Sequence, residues 1–223
     1  MTPAQVDALV RERQEAFLLS LGPLVKKQGV KEALTEVGLR VAGAVAPLDF
    51  EVVDSDVPRS VSASNGMVWV TTGLIKRCAN EAQLAAVLAH EVAHVTQRFE
   101  QLPHLRALRV ACRRPLAPAL LPDGGAAPID LNRAVRQGAE AVVAFGHPKE
   151  EADADEAALL ALAGAGYDPA AYEVLLEALG DKGHDGSRFQ GRARRRIELL
   201  SATRAEKKLS GGKTPALSKS LRF

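Results

Sequence analysis

No run of about eighteen consecutive apolar residues occurs in this 223-residue chain, which excludes a membrane-crossing helix. Residues 1–25 carry Asp7, Arg11, Glu12, Arg13 and Glu15 through an amphipathic pattern, so they lack the basic start, apolar centre and cleavage site of a secretory leader. That absence implies the cytoplasm if the chain is complete, and the periplasm if a leader has been trimmed from it. Only two cysteines are present, Cys78 and Cys112, too few for a disulfide framework. They pair only if the fold brings them together and are otherwise lone buried thiols, so the redox compartment stays open. No internal repeat is present.

What remains is ordinary for one globular domain: 47% hydrophobic and 25% charged residues over a length that can bury a sizeable core. The net charge of +2 hides an asymmetry. From Arg188 onward eleven Lys/Arg face only Glu198 and Glu206, a surplus of nine, which leaves the rest of the chain seven negative. No stacking aromatics are interleaved with these basic residues, so nucleic acid is not an expected partner, while peripheral contact with a membrane stays open. Residues 201–223, dominated by Ser, Gly and Lys, read as a basic, disordered tail.

The most informative segment is His90-Glu91-Val92-Ala93-His94. Positions i and i+4 lie one turn apart on one helix face, so both imidazoles can reach a single metal ion about 2 Å away, with Glu91 beside it as general base. The flanking sequence is a helix from Asn80 to about Phe99: it has no Pro or Gly, Asn80 can accept from the first-turn amides, and Glu81 suits the helix dipole. Leu84, Val87, Leu88, Val92 and Val95 bury that helix, and alanines at 85, 86, 89 and 93 let another element approach closely.

Around it, residues 4–21 and 28–45 read as N-terminal helices, separated by Gly22-Pro23 and packed on a domain spanning 46–200. Segments 48–53, 61–64 and 66–71, broken by Pro58 and the Asn65-Gly66 turn, predict a small antiparallel sheet beside the metal helix. Its last strand, with Met67, Val68, Trp69 and Val70, is expected at an exposed edge beside the cleft, where an extended substrate could pair with it. A short helix begins near Thr72-Gly73. Residues 101–128, with five prolines and Asp123-Gly124-Gly125, predict an irregular lid or plug, and 131–145 a helix.

A catalytic zinc needs a third protein ligand, and the acidic run from Glu150 to Glu156 offers one. Glu151 and Asp155 are i and i+4. If Glu151 binds the ion, Asp155 can accept the far N–H of a ligand histidine.

These residues resemble the gluzincin metallopeptidases that include the CAAX prenyl endopeptidases, the membrane heat-shock protease HtpX and soluble bacterial BepA-like proteases. Those proteins carry HExxH on one helix and ExxAD on a later one. Here Glu151-Ala152-Asp153-Ala154-Asp155 matches ExxAD, and Gly166-Tyr167-Asp168-Pro169 matches the Gly-aromatic-Asp-Pro that follows it. The likeness covers residues 48 to 180. It implies an α+β, mostly helical zincin-like domain, one Zn2+ on His90, His94 and Glu151, and endopeptidase action on unfolded or misfolded polypeptide. Two positions depart from the pattern. His147-Pro148 stands where relatives have Ser-Arg, and Gln190-Gly191 where soluble relatives have His-Pro. The resemblance gives that histidine an oxyanion or latency role, for which Gln190, or His184 in the preceding loop, is the candidate here. The alternative is a latent, zinc-binding module without turnover.

Overall fold

The computed structural model of this chain describes residues 22–43, 48–62, 66–96, 148–180 and 188–223. The expected helices at 4–21 and 131–145, the 101–128 segment and Cys112 lie outside the described residues. Helix α1 (Val30–Ala42) buries Val30, Leu34, Val37, Gly38 and Val41, a stripe with helical period. Three strands follow, β1 (Asp49–Val53), β2 (Ser60–Ser62) and β3 (Met67–Thr71), then the short α2 (Thr72–Ile75). The metal helix is α3 (Glu81–Thr96), and α4 (Pro148–Gly164), α5 (Ala170–Gly180) and α6 (Arg188–Glu206) complete the helical part. Among the described residues the result is a mostly helical domain with one small sheet.

That sheet is mixed, not wholly antiparallel. Its order is β1-β3-β2, with β1 parallel to β3 and β2 antiparallel to it. The reason is the path of residues 54–59. They cross the end of β3, where Ser55 accepts the Gly73 amide at 2.7 Å, before entering β2 on the far side. Glycine is needed at 73, because a Cβ there would come within 2.2 Å of the Asp56 carbonyl oxygen. Strand β3 is therefore central. Val68 and Val70 are fully buried on one face, and Trp69 joins Val53 in a separate small cluster on the other. Met67, Val68, Trp69 and Val70 do not form an exposed edge: their strand has a partner strand on each side.

Helix α3 begins with a reciprocal cap. Asn80 Oδ1 accepts the Gln83 amide at 3.0 Å while Gln83 Oε1 accepts the Ala79 amide at 2.6 Å. From Ala82 to Ala93 every residue of α3 is buried, because α1, α4, α5 and the sheet surround it. Its alanines are what allow α4 to lie close.

The basic C-terminal part is not a solvated tail. Arg204 pairs with Glu173 of α5 at 2.6 Å and Lys207 with Glu156 of α4 at 2.8 Å, so part of the charge surplus is complementary to acidic helices within the domain. Beyond α6 the chain runs back across the molecule. Lys213 forms a bridge with Tyr167, the Pro215 carbonyl accepts the Glu81 amide at 2.7 Å, and Leu221, in a 3-10 turn (Lys219–Leu221), is buried against α1. Composition suggested disorder because Ser, Gly and Lys dominate, but a few apolar anchors and backbone bonds are enough to seat the segment. Among the described residues no helix is long and apolar enough to cross a membrane.

Candidate metal centre

Two helices bring the acidic and imidazole groups together. On α3, His90 and His94 are one turn apart, their rings perpendicular with centroids 4.6 Å apart and their Nε2 atoms 3.0 Å apart. On α4, Glu151 reaches between them, Oε2 at 3.5 Å from His90 Nε2 and Oε1 at 3.4 Å from His94 Nε2. Among the described residues these three form a group able to hold a metal ion. A tetrahedral ion with bonds of about 2.1 Å has ligand atoms about 3.4 Å apart. The two Nε2 atoms, each facing its own oxygen of Glu151, stand at spacings close to that value, and two imidazole nitrogens with one carboxylate suit zinc.

One turn further along α4, Asp155 lies behind His90, with Oδ1 at 2.9 Å from Nδ1. The approach is bent away from an ideal N–H···O line, and Nδ1 has no well-formed hydrogen bond. Asp155 is itself gripped. The Tyr172 hydroxyl donates to Oδ1 at 2.8 Å, and Arg196 donates through Nε to Oδ2 at 2.8 Å and through Nη2 to Oδ1 at 2.6 Å. Arg196 also donates to the Tyr172 oxygen at 2.8 Å and places Nη1 3.7 Å from Glu151. Asp155 is thus fixed from α5 and α6 while it faces α3.

The electrostatics favour a cation. Burial opposes charge on His90, yet the facing Asp155 and Glu151 carboxylates outweigh it and lift the imidazole to about 9. Burial likewise works against ionisation of Glu151 and Asp155. The histidines and Arg196 win, holding Glu151 well below the usual carboxylate range and Asp155 down at about 2. A field that raises an imidazole's affinity for a proton also favours a metal cation in its place.

Glu91 is buried, 6% exposed, and accepts a hydrogen bond from the Ser60 hydroxyl of β2 at 2.6 Å. Met67, Val68, Trp69 and Val70 belong to the central strand. Gln190 stands in the first turn of α6 with its side chain outside the described residues, as is all of His184. Sequence reasoning gave no role to Arg196, Tyr172 or Ser60. Tyr172 lies 17 residues past Asp155 and Arg196 41 past it, separations with no local periodicity to reveal them.

Peptidase family M48 matches residues 27–203, which include every group just described. The chain belongs to peptidase family M48. Within this M48 domain the small mixed sheet and surrounding helices are consistent with a zincin-like fold, and membership makes it a metallopeptidase domain. The chain is 29% identical over 178 residues to the beta-barrel assembly-enhancing protease of Escherichia coli K12, covering 74% of this chain and 36% of that protein. The Yersinia pestis protein of the same name is 30% identical over 187 residues, covering 80% of this chain and 37% of that one. The mitochondrial metalloendopeptidase OMA1 of Schizosaccharomyces pombe is 32% identical over 138 residues, covering 59% of this chain and 37% of that protein. The chain therefore spans little more than a third of the length of these curated relatives.

Proposed function

We propose that this domain is a zinc-dependent endopeptidase acting on extended segments of non-native polypeptide. One observation carries the reading: the Nε2 atoms of His90 and His94 stand 3.0 Å apart with a Glu151 carboxylate oxygen 3.4 to 3.5 Å from each, spacings close to those between ligands on a tetrahedral zinc. These three residues would hold the ion. Zinc bound there supplies a Lewis acid for the scissile carbonyl and lowers the pKa of water toward about 7. Glu91, next to His90 on the same helix, takes the proton from the attacking water and delivers it to the leaving amine. Asp155, with Oδ1 2.9 Å behind His90 Nδ1, would accept that nitrogen's proton in a hydrogen bond when the ring turns slightly, leaving Nε2 free for the ion. The preference for extended segments follows from recession of the site. Side chains of His90, His94 and Glu151 are only 10%, 15% and 29% exposed, so a scissile bond must be threaded in without its folded surroundings.

The test combines metal analysis with hydrolysis of casein. Wild type and Glu91→Gln are expected to carry stoichiometric zinc and Glu151→Ala much less, with hydrolysis by the wild type alone. A wild type without zinc, or one as inert as Glu91→Gln while fully loaded, overturns the reading.

A further inference from the structure

The Ser60–Glu91 hydrogen bond joins the edge of the sheet to the metal helix, and nothing in the metal-binding role of the site requires it. We infer that Ser60 is a positioning residue for the general base, holding the Glu91 carboxylate in the orientation that receives a proton; this rests on the endopeptidase reading above.

The geometry argues this in three steps. The last torsion of a glutamate side chain is soft and roughly two-fold, so burial alone does not fix which way its oxygens face. A hydroxyl 2.6 Å from Oε1 does fix it, and a hydrogen bond to a charged acceptor is among the stronger ones. Oε2 is then presented in one direction for proton transfer.

The donor is also rigid. Ser60 pairs with Val70 in the β2–β3 ladder, and its neighbour Arg59 exchanges bonds with Thr71: the Thr71 amide donates to the Arg59 carbonyl at 3.0 Å and the Arg59 amide to Thr71 Oγ1 at 2.9 Å. Thr71 Oγ1 further donates to the Val57 carbonyl at 2.6 Å, tying the segment that leads into β2.

Finally, the two partners sit on elements that are fixed independently. Glu91 rides on α3, which is buried on all sides, and Ser60 rides on the sheet. A soft carboxylate is thereby referenced to two rigid frames, as a base that must meet a water within a few tenths of an ångström requires.

The bond and the role are tested separately. In zinc-free protein, urea unfolding of Ser60→Ala, Glu91→Ala and the double variant forms a cycle. Ser60→Ala is expected to lower the folding equilibrium constant about tenfold with Glu91 present and less than about twofold with Glu91→Ala. Equal shifts in both backgrounds overturn the bond. In zinc-loaded protein, an internally quenched peptide of casein sequence separates kcat from KM. Ser60→Ala is expected to lower kcat on the order of tenfold, with KM and zinc content unchanged, and Ser60→Thr, which keeps the hydroxyl, to restore most of it. An unchanged kcat in Ser60→Ala, or a loss that Ser60→Thr does not restore, overturns the positioning role while leaving the endopeptidase reading intact. A wild type that cleaves nothing overturns both.

Discussion

Arg196 closes on Asp155 through both carboxylate oxygens, and Asp155 in turn stands 2.9 Å behind His90, so a side chain of α6 fixes the carboxylate that faces a histidine of α3. A lysine cannot reproduce the two parallel N–H bonds of a guanidinium. Arg196→Lys is therefore expected to fold and to bind zinc on the order of tenfold more weakly in chelator competition. Arg196→Ala strips the buried Asp155 carboxylate of two charge-assisted hydrogen bonds and is expected to lose about 3 kcal/mol of stability in urea. Zinc affinity equal to wild type in both variants would show that the clamp does not reach the metal site.

The C-terminal segment makes a prediction opposite to that of its composition. A solvated tail with Lys207, Lys208 and Lys213 would be the first target of trypsin. Seated by Leu221 and by backbone bonds to Gly166, Asp168 and Glu81, those lysines are expected to resist limited digestion of the native protein. Leu221→Ala, which empties a fully buried site, is expected to cost about 2–4 kcal/mol and to expose them. Prompt cleavage after Lys213 in the wild type would contradict the observed packing.

Tyr167 links three parts of the chain: its hydroxyl donates to Glu81 at 2.6 Å and accepts from Arg40 at 2.6 Å. Burial, reinforced by Glu81, pushes its phenol up to about 12, against about 10 for an unfolded tyrosine. The folded state thus favours the protonated form. Its contribution to stability is fully present below about pH 10 and is lost as pH rises through about 12. Tyr172 is likewise pushed well above its ordinary value by burial. Ultraviolet titration of the native protein is expected to show almost no tyrosinate at pH 10.5, whereas the guanidinium-unfolded chain shows more than half.

Gly38 decides between two opposed effects. Alanine inside a helix is favoured over glycine by about 1 kcal/mol. At this position, however, the added Cβ would meet three ring atoms of Phe50 at 2.4 to 2.8 Å, and that ring is fully buried with nowhere to swing. Overpacking of this kind costs about 1–3 kcal/mol, so Gly38→Ala is expected to be net destabilising by thermal or urea unfolding. A stabilised variant would mean that α1 and β1 can part easily.

Local spacing made the helices legible. The i, i+4 pairs His90/His94 and Glu151/Asp155 are properties of one turn each, and the helices that carry them form where that periodicity lies. Strand direction is not local: alternating residues at 49–53 fit a parallel or an antiparallel neighbour equally well, and only the crossing of 54–59 over Gly73 decides it. The central place of β3 was hidden for the same reason. Seating of the C-terminal segment depends on partners far upstream, and the role of Ser60 on a hydroxyl contact across 31 residues, neither of which any window of sequence reports.

The first turn of the metal helix is completed by the carbonyl of Pro215, 134 positions downstream of the Glu81 amide it receives. At ordinary ribosomal speeds of about 5–20 residues per second, roughly 7–27 s separate the synthesis of the two. His90 and His94 are made within the first tenth of that interval and Glu151 just past its midpoint. The candidate metal ligands are thus present on the nascent chain well before the strap that fastens the helix of the two histidines, and this distant contact, with its large loop to close, is expected among the last events of folding.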